Sequence, residues 1–208
     1  MADFMNVKEA LHKLPSYSQE LDLDLSKPDD RFKWFLASVL FAKRISAQTA
    51  KETYRYFEQE ELTSPEAILE AGWDRLVEVL DEGGYTRYDF STATYLLGIA
   101  KKLKEKYGNL ERLHAESGSS SDLERRLEEF KGVGTVCVNI FLRELRGTWE
   151  KAKPEPSPLA VATAEKIGLS KEDVEGYESQ LVRLNLEYCK KRRSRECPLE
   201  NECPDRVR

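Results

Sequence analysis

The chain has 208 residues, of which 40% are hydrophobic and 34% charged, enough apolar mass for a buried core and too much for a disordered chain. Its longest apolar run, Trp34 to Ala42, is broken by Ser38 and is too short to cross a bilayer. A net charge of -5 excludes a basic field over the whole surface, so any contact with nucleic acid must come from a local patch.

The opening residues, Met1 to Leu14, lack the basic-then-apolar order of a signal peptide. Four cysteines are too few for a disulfide scaffold of this size, so we expect a reducing, cytoplasmic setting. A capping stretch, Ser26 to Asp30, precedes Phe32, Phe35, Leu36, Val39 and Leu40 at helical spacing. Ser46 to Phe57 reads as the next helix. Thr63-Ser64-Pro65-Glu66 reads as a capping box that opens Ala67 to Ala71. Trp73 to Leu80 is a short amphipathic helix stopped by Gly83-Gly84. Thr92 to Tyr107 carries Tyr95, Leu96, Ile99, Ala100 and Leu103 on one face. Leu110 to His114 and Asp122 to Phe130 are shorter helices, with a flexible loop expected at Ser117 to Ser121. Thr135 to Phe141 is rich in β-branched residues, yet no neighbour alternates with period two, so we assign it to a helix. Lys151 to Pro158 holds three prolines in five residues and is an extended connector. Ser170 to Asp173 caps a final helix running to about Tyr188.

Chemistry concentrates at Phe130-Lys131-Gly132-Val133-Gly134-Thr135, where one helix ends and another begins across a glycine-rich turn. Glycine permits close approach to a ligand, and the free N–H groups of a helix start suit a phosphate. The same tripeptide also serves as a plain turn between packed helices. Lys190-Lys191-Arg192-Arg193 is the strongest basic run, and Gly84 to Phe90 combines Tyr85, Arg87, Tyr88 and Asp89 in one turn. Cationic side chains bind phosphates, and aromatic rings stack on bases. Aromatics filling a seam between helices are the plainer account of Tyr85 and Tyr88.

The order of these features over about residues 30–205 resembles the helix-hairpin-helix DNA glycosylase superfamily, and its endonuclease III branch above all. The resemblance is carried by Phe130 to Gly134 and by the tail, Glu196-Cys197-Pro198 with Cys203-Pro204. It implies an all-α, two-lobed fold with the DNA site in a cleft, and a role in base-excision repair. It implies that the hairpin (Lys131, Gly132, Val133, Gly134, Thr135), Lys43 and Arg44, and Lys190 to Arg193 contact DNA. It also implies that Tyr85, Arg87 and Tyr88 face a flipped base.

The chain departs from the family where its chemistry resides. The Schiff-base lysine falls at Val136, which has no nucleophile, so β-lyase activity is not expected. The aspartate position falls at Ser157, and no Asp occurs from Leu123 to Glu172. Glu155 and Asp89 are the carboxylates left to support base release; an exposed connector residue is the plainer account of Glu155. Of the family's Cys-x6-Cys-x2-Cys-x5-Cys loop, Cys197 and Cys203 are in register. Ser194 and Glu187 occupy the other two positions, and Cys189 lies two residues out. We therefore expect no cofactor, with an iron–sulfur or zinc site on Cys189, Cys197 and Cys203 as the alternative.

The expectation is thus one unit over 1–208. A central lobe spans about 28–145, including the hairpin at 124–145, and a second lobe comprises about 1–27 and 154–208. It would be a monomeric, nucleoid-associated prokaryotic protein that binds damaged or distorted duplex DNA, without a membrane. It would act either as a monofunctional N-glycosylase on damaged bases or as a catalytically silent lesion binder. A helical protein-interaction module is the remaining alternative.

Overall fold

A computed structural model describes residues 4–200, 202 and 203, with side chains from Val7 onward. Pro204, part of the tail motif, lies outside the described residues. Among these residues the fold is all-helical, without a strand. In chain order the helices are α1 (Phe4–Lys13), α2 (Tyr17–Glu20), α3 (Pro28–Phe41), α4 (Ala47–Gln59), α5 (Pro65–Glu82), α6 (Asp89–Lys106), α7 (Leu110–Glu116), α8 (Ser120–Glu128), α9 (Thr135–Arg143), α10 (Pro158–Ile167) and α11 (Val174–Leu184). No described helix is long and apolar enough to cross a membrane.

The chain divides into two compact units, Met1–Asp22 with Glu155–Arg208, and Leu23–Pro154. The continuous unit is built around α3, whose Trp34, Phe35, Leu36 and Leu40 are buried with Phe57, Leu80, Leu103 and Phe141. The Trp34 indole N–H donates to the Phe141 carbonyl at 3.2 Å, which ties α3 to α9. Phe35 meets Phe141 edge-on at 4.9 Å between ring centroids. Such geometry adds to simple area burial. The discontinuous unit has its own core, in which Val7, Leu11 and Leu14 pack with Ala164, Ile167, Leu181 and Leu184.

Local chemistry sets most helix starts. The side chains of Ser16, Ser46, Ser64, Asn109, Ser119 and Ser157 each accept a backbone N–H from the first turn of α2, α4, α5, α7, α8 and α10. These bonds satisfy donors that a helix start would otherwise leave open. Several starts differ from expectation. Ser64, not Thr63, caps α5 and accepts from Ala67 N at 3.1 Å. Glu66 is drawn away to Lys104 at 2.8 Å and cannot close a capping box. At α3 the flanking residue is Lys27, with no side-chain cap; the Ser26 hydroxyl bonds Asp24 instead.

The two short helices expected at 67–71 and 73–80 form one element, α5, broken at Gly72, whose φ of 75° no L residue adopts cheaply. The expected loop at Ser117 to Ser121 is a tight junction. The Ser117 hydroxyl bonds the Leu113 carbonyl, Gly118 N–H bonds Asp122, and α8 already begins at Ser120. The last helix is opened by a 3-10 turn at Lys171–Asp173 and ends in a π turn at Asn185–Cys189.

Candidate nucleic-acid interface

The helical pair α8–α9 is positioned by what its turn buries. Leu127, Phe130, Val133, Cys137 and Val138 are buried, whereas Lys131, Gly134, Thr135 and Val136 are exposed. The Val133 N–H closes the turn onto the Phe130 carbonyl at 3.0 Å. Gly132 has φ +92°, and a Cβ there would lie 2.5 Å from ring carbons of Tyr95. The turn therefore seats directly on α6, and only glycine fits the contact. Lys102 donates to the Glu129 carbonyl at 2.8 Å, holding the end of α8 to the same helix.

The start of α9 differs from the side-chain-capped starts of α2, α4, α5, α7, α8 and α10. Its flanking residue is Gly134, with no side-chain cap, and its first turn carries no acidic residue. A Cβ built at Gly134 meets nothing within 4 Å. N–H donors and the positive end of the helix dipole are thus presented at an exposed, uncluttered tip. Val136 beside them is 64% exposed. One group opposes an anion here: the Glu128 carboxylate accepts the Thr135 hydroxyl at 2.8 Å.

Other expected contacts gather around the end of α3. Lys43 Nζ lies 5.0 Å from the centroid of Tyr95, the ring on which Gly132 sits, so Lys43 and the hairpin turn share one neighbour. Arg44 follows, exposed. Tyr85 corrects its expected role. It is 1% exposed, and its hydroxyl donates to the Leu40 carbonyl at 2.8 Å. Burial pushes this phenol well above its ordinary range. Tyr85 therefore braces the end of α3 from within and has no face to offer a base. Tyr88 is half-buried, 6.2 Å from Tyr85, with the exposed Arg87 guanidinium 5.5 Å from its ring. The residue that sequence reasoning missed is Tyr95. In the sequence it lies on the apolar face of its helix, with nothing to mark it as the seat of the hairpin.

The candidate carboxylates are placed differently. Asp89 opens α6, and its Oδ1 accepts the Phe90 N–H at 2.6 Å. Asp81 lies close by; its carboxyl is raised above the ordinary range by desolvation and by the charge of Asp89. Glu155 is an exposed connector residue of the discontinuous unit, so the two candidates belong to different units. Ser157 caps α10, its Oγ accepting from Ala160 N at 3.4 Å. Its own N–H donates to Glu178 at 2.9 Å. Glu178, only 1% exposed, is the carboxylate that the fold brings to Ser157.

In the tail, Lys190, Lys191, Arg192 and Arg193 are all exposed. Arg193 is paired with Glu196, and Arg192 adopts φ 55°. Arg193 N bonds the Tyr188 carbonyl at 3.0 Å and Arg192 N that of Cys189 at 3.1 Å, a left-handed helix end usually given to glycine. The four-thiolate iron–sulfur cluster implied by the family resemblance does not fit. Glu187 at the first position accepts from the Tyr17 hydroxyl at 3.1 Å and pairs with Arg183 at 3.3 Å, and Ser194 at the second is a hydroxyl. No family model, no curated protein and no solved structure matches the chain.

Proposed function

We propose that the protein binds duplex DNA, damaged or distorted, through the α8–α9 hairpin, as a DNA-binding protein of base-excision-repair type. The observation that carries this reading is the start of α9: exposed, uncapped by any side chain, and opened by a glycine with free space around its Cα. A phosphate oxygen there accepts backbone N–H bonds and gains from the helix dipole. Lys131 and Lys43 supply local positive charge on a chain whose net charge is -5. We infer recognition without strand cleavage, because Val136 offers no amine at the hairpin. Base release, if present, would need Glu155 or Asp89, and a panel of lesion duplexes tests it directly. The interaction itself is tested by titrating the full chain with duplex DNA at increasing salt. Counterion release makes log K fall linearly with log salt. A salt-independent affinity, or none at low salt, would remove the reading.

A second reading has one observation behind it. Trp73 is 39% and Phe90 60% exposed, their ring centroids lie 5.5 Å apart, and the Trp73 indole N–H bonds Thr94 at 3.0 Å. This exposed aromatic pair is flanked in sequence by Asp74 and Asp89, which repel phosphates. It favours a protein contact. Trp73→Ala with Phe90→Ala leaves DNA affinity unchanged if the pair serves only such a contact.

A further inference from the structure

We propose that the exposed aromatic strip of α5 and α6, marked by Trp73 and Phe90, docks a basic segment of a protein partner. Apolar side chains of that segment cover the two rings, and a lysine or arginine beside them meets Asp81 and Asp89. This rests on the protein contact read from the same ring pair and adds the chemistry of the partner; it is independent of the hairpin. Trp73 is 39% and Phe90 60% exposed, with ring centroids 5.5 Å apart. Large aromatic rings left together in water mark an interaction surface. The other two tryptophans, Trp34 and Trp149, are 0% and 3% exposed, so Trp73 is the indole that the chain offers to solvent.

Two antiparallel helices build the strip. They join through the short turn at 83–88, so that Trp73 meets Thr94 while Asp81 comes beside Asp89. On α5, Trp73, Val77 and Asp81 recur every four residues, and on α6 Phe90, Thr94 and Gly98 do the same, which places each trio along one side of its helix. The break at Gly72 starts the segment of α5 that carries Trp73. The indole N–H then donates to the Thr94 hydroxyl at 3.0 Å and fixes the ring. A ring already held in place loses less freedom when a partner covers it. A Cβ built at Gly98 meets nothing within 4 Å, so the α6 side of the strip is open.

Charge selects the occupant. Asp74 follows Trp73 and Asp89 precedes Phe90, and with Asp81 they stand outside every ion pair among the described residues. The Asp81 carboxyl lies above its ordinary range, raised first by desolvation and then by the charge of Asp89. Two carboxylates this close repel each other, and a cation between them relieves both. The nearby arginines are engaged elsewhere. Arg75 pairs with Glu60 and Glu78, and Arg87 lies 5.5 Å from the Tyr88 ring. The same carboxylates repel a phosphate backbone or an acidic peptide. Aromatic faces attract cations as well as apolar groups. A segment that sets lysine or arginine beside apolar residues at helical spacing satisfies the rings and the carboxylates together.

The test uses the full chain, with Trp73 fluorescence as the reporter. In the free protein, caesium should quench this indole about twofold more efficiently than iodide at equal ionic strength, because the surrounding field is negative. A synthetic amphipathic lysine–leucine peptide should bind and shield Trp73 from the neutral quencher acrylamide. A glutamate–leucine peptide of equal length should do neither. Phe90→Ala, and separately Asp81→Asn with Asp89→Asn, should each weaken the lysine–leucine peptide by about tenfold or more. Equal binding of a glutamine–leucine peptide would overturn the basic partner while leaving a protein contact in place. Shielding of Trp73 by duplex DNA would overturn both, and shielding by raised concentration of the protein alone would name a second copy as the occupant instead. The three peptides are compared on the unmodified chain, so a variant that fails to fold cannot decide the matter.

Discussion

Gly132 and Tyr95 set the hairpin at the smallest scale. An alanine at 132 must hold a left-handed backbone and place its Cβ against the Tyr95 ring. Strain and overpacking together put the cost of Gly132→Ala at about 2–4 kcal/mol. Urea unfolding measures it, and a loss below about 1 kcal/mol would show that the turn does not rest on Tyr95 as described. His114 supplies the pH dependence. It stacks on Trp149 at 4.5 Å between centroids, and burial, then the charge of Lys151, lowers its pKa below the ordinary value. A group depressed on folding binds its proton more readily in the unfolded chain. Its contribution is therefore complete above about pH 6.5 and is lost as pH falls through the depressed folded value. Thermal melts from neutral to mildly acid pH should show a decline that His114→Phe reduces. An identical decline in the variant would place the sensitivity elsewhere. Residue identity alone does not separate Tyr85 from Tyr88. Both are tyrosines in one turn, and only the bond to the Leu40 carbonyl shows which faces inward.

At the scale of elements, Arg183 of α11 joins the start of the chain to its end. Its side chain, 9% exposed, pairs with Glu20 at 2.8 Å and Glu187 at 3.3 Å. It also donates to the Pro15 carbonyl at 2.7 Å and lies 5.3 Å from the Tyr17 ring. Arg183→Met leaves two carboxylates without their cation and should cost about 3 kcal/mol. Limited proteolysis should then cut first between Pro15 and Asp22. Unchanged stability and an unchanged cleavage pattern would contradict this. The helical elements of the continuous unit were largely legible, because each buries a stripe at helical spacing. Thr135 to Phe141 forms helix despite its β-branched residues, since Cys137, Val138 and Phe141 pack inward at that spacing. By contrast, α1 and α2 went unread, although Val7, Leu11 and Leu14 carry the period.

For the whole molecule, an acidic chain that binds DNA must do so through a small surface, and the surface proposed is the hairpin tip. Borohydride should not trap the protein on abasic-site duplex, because Val136 has no amine to form the imine. A covalent adduct would show that another lysine serves. The central claim is tested most directly by Gly134→Asp. Its side chain enters open space, so the fold is expected to survive, but a carboxylate would stand at the position proposed for the phosphate. Duplex affinity, measured at one fixed salt concentration on protein shown by circular dichroism to be folded, should weaken by about 1–3 kcal/mol. Equal affinity of the folded variant and the parent chain would contradict the assignment of the hairpin as the DNA contact.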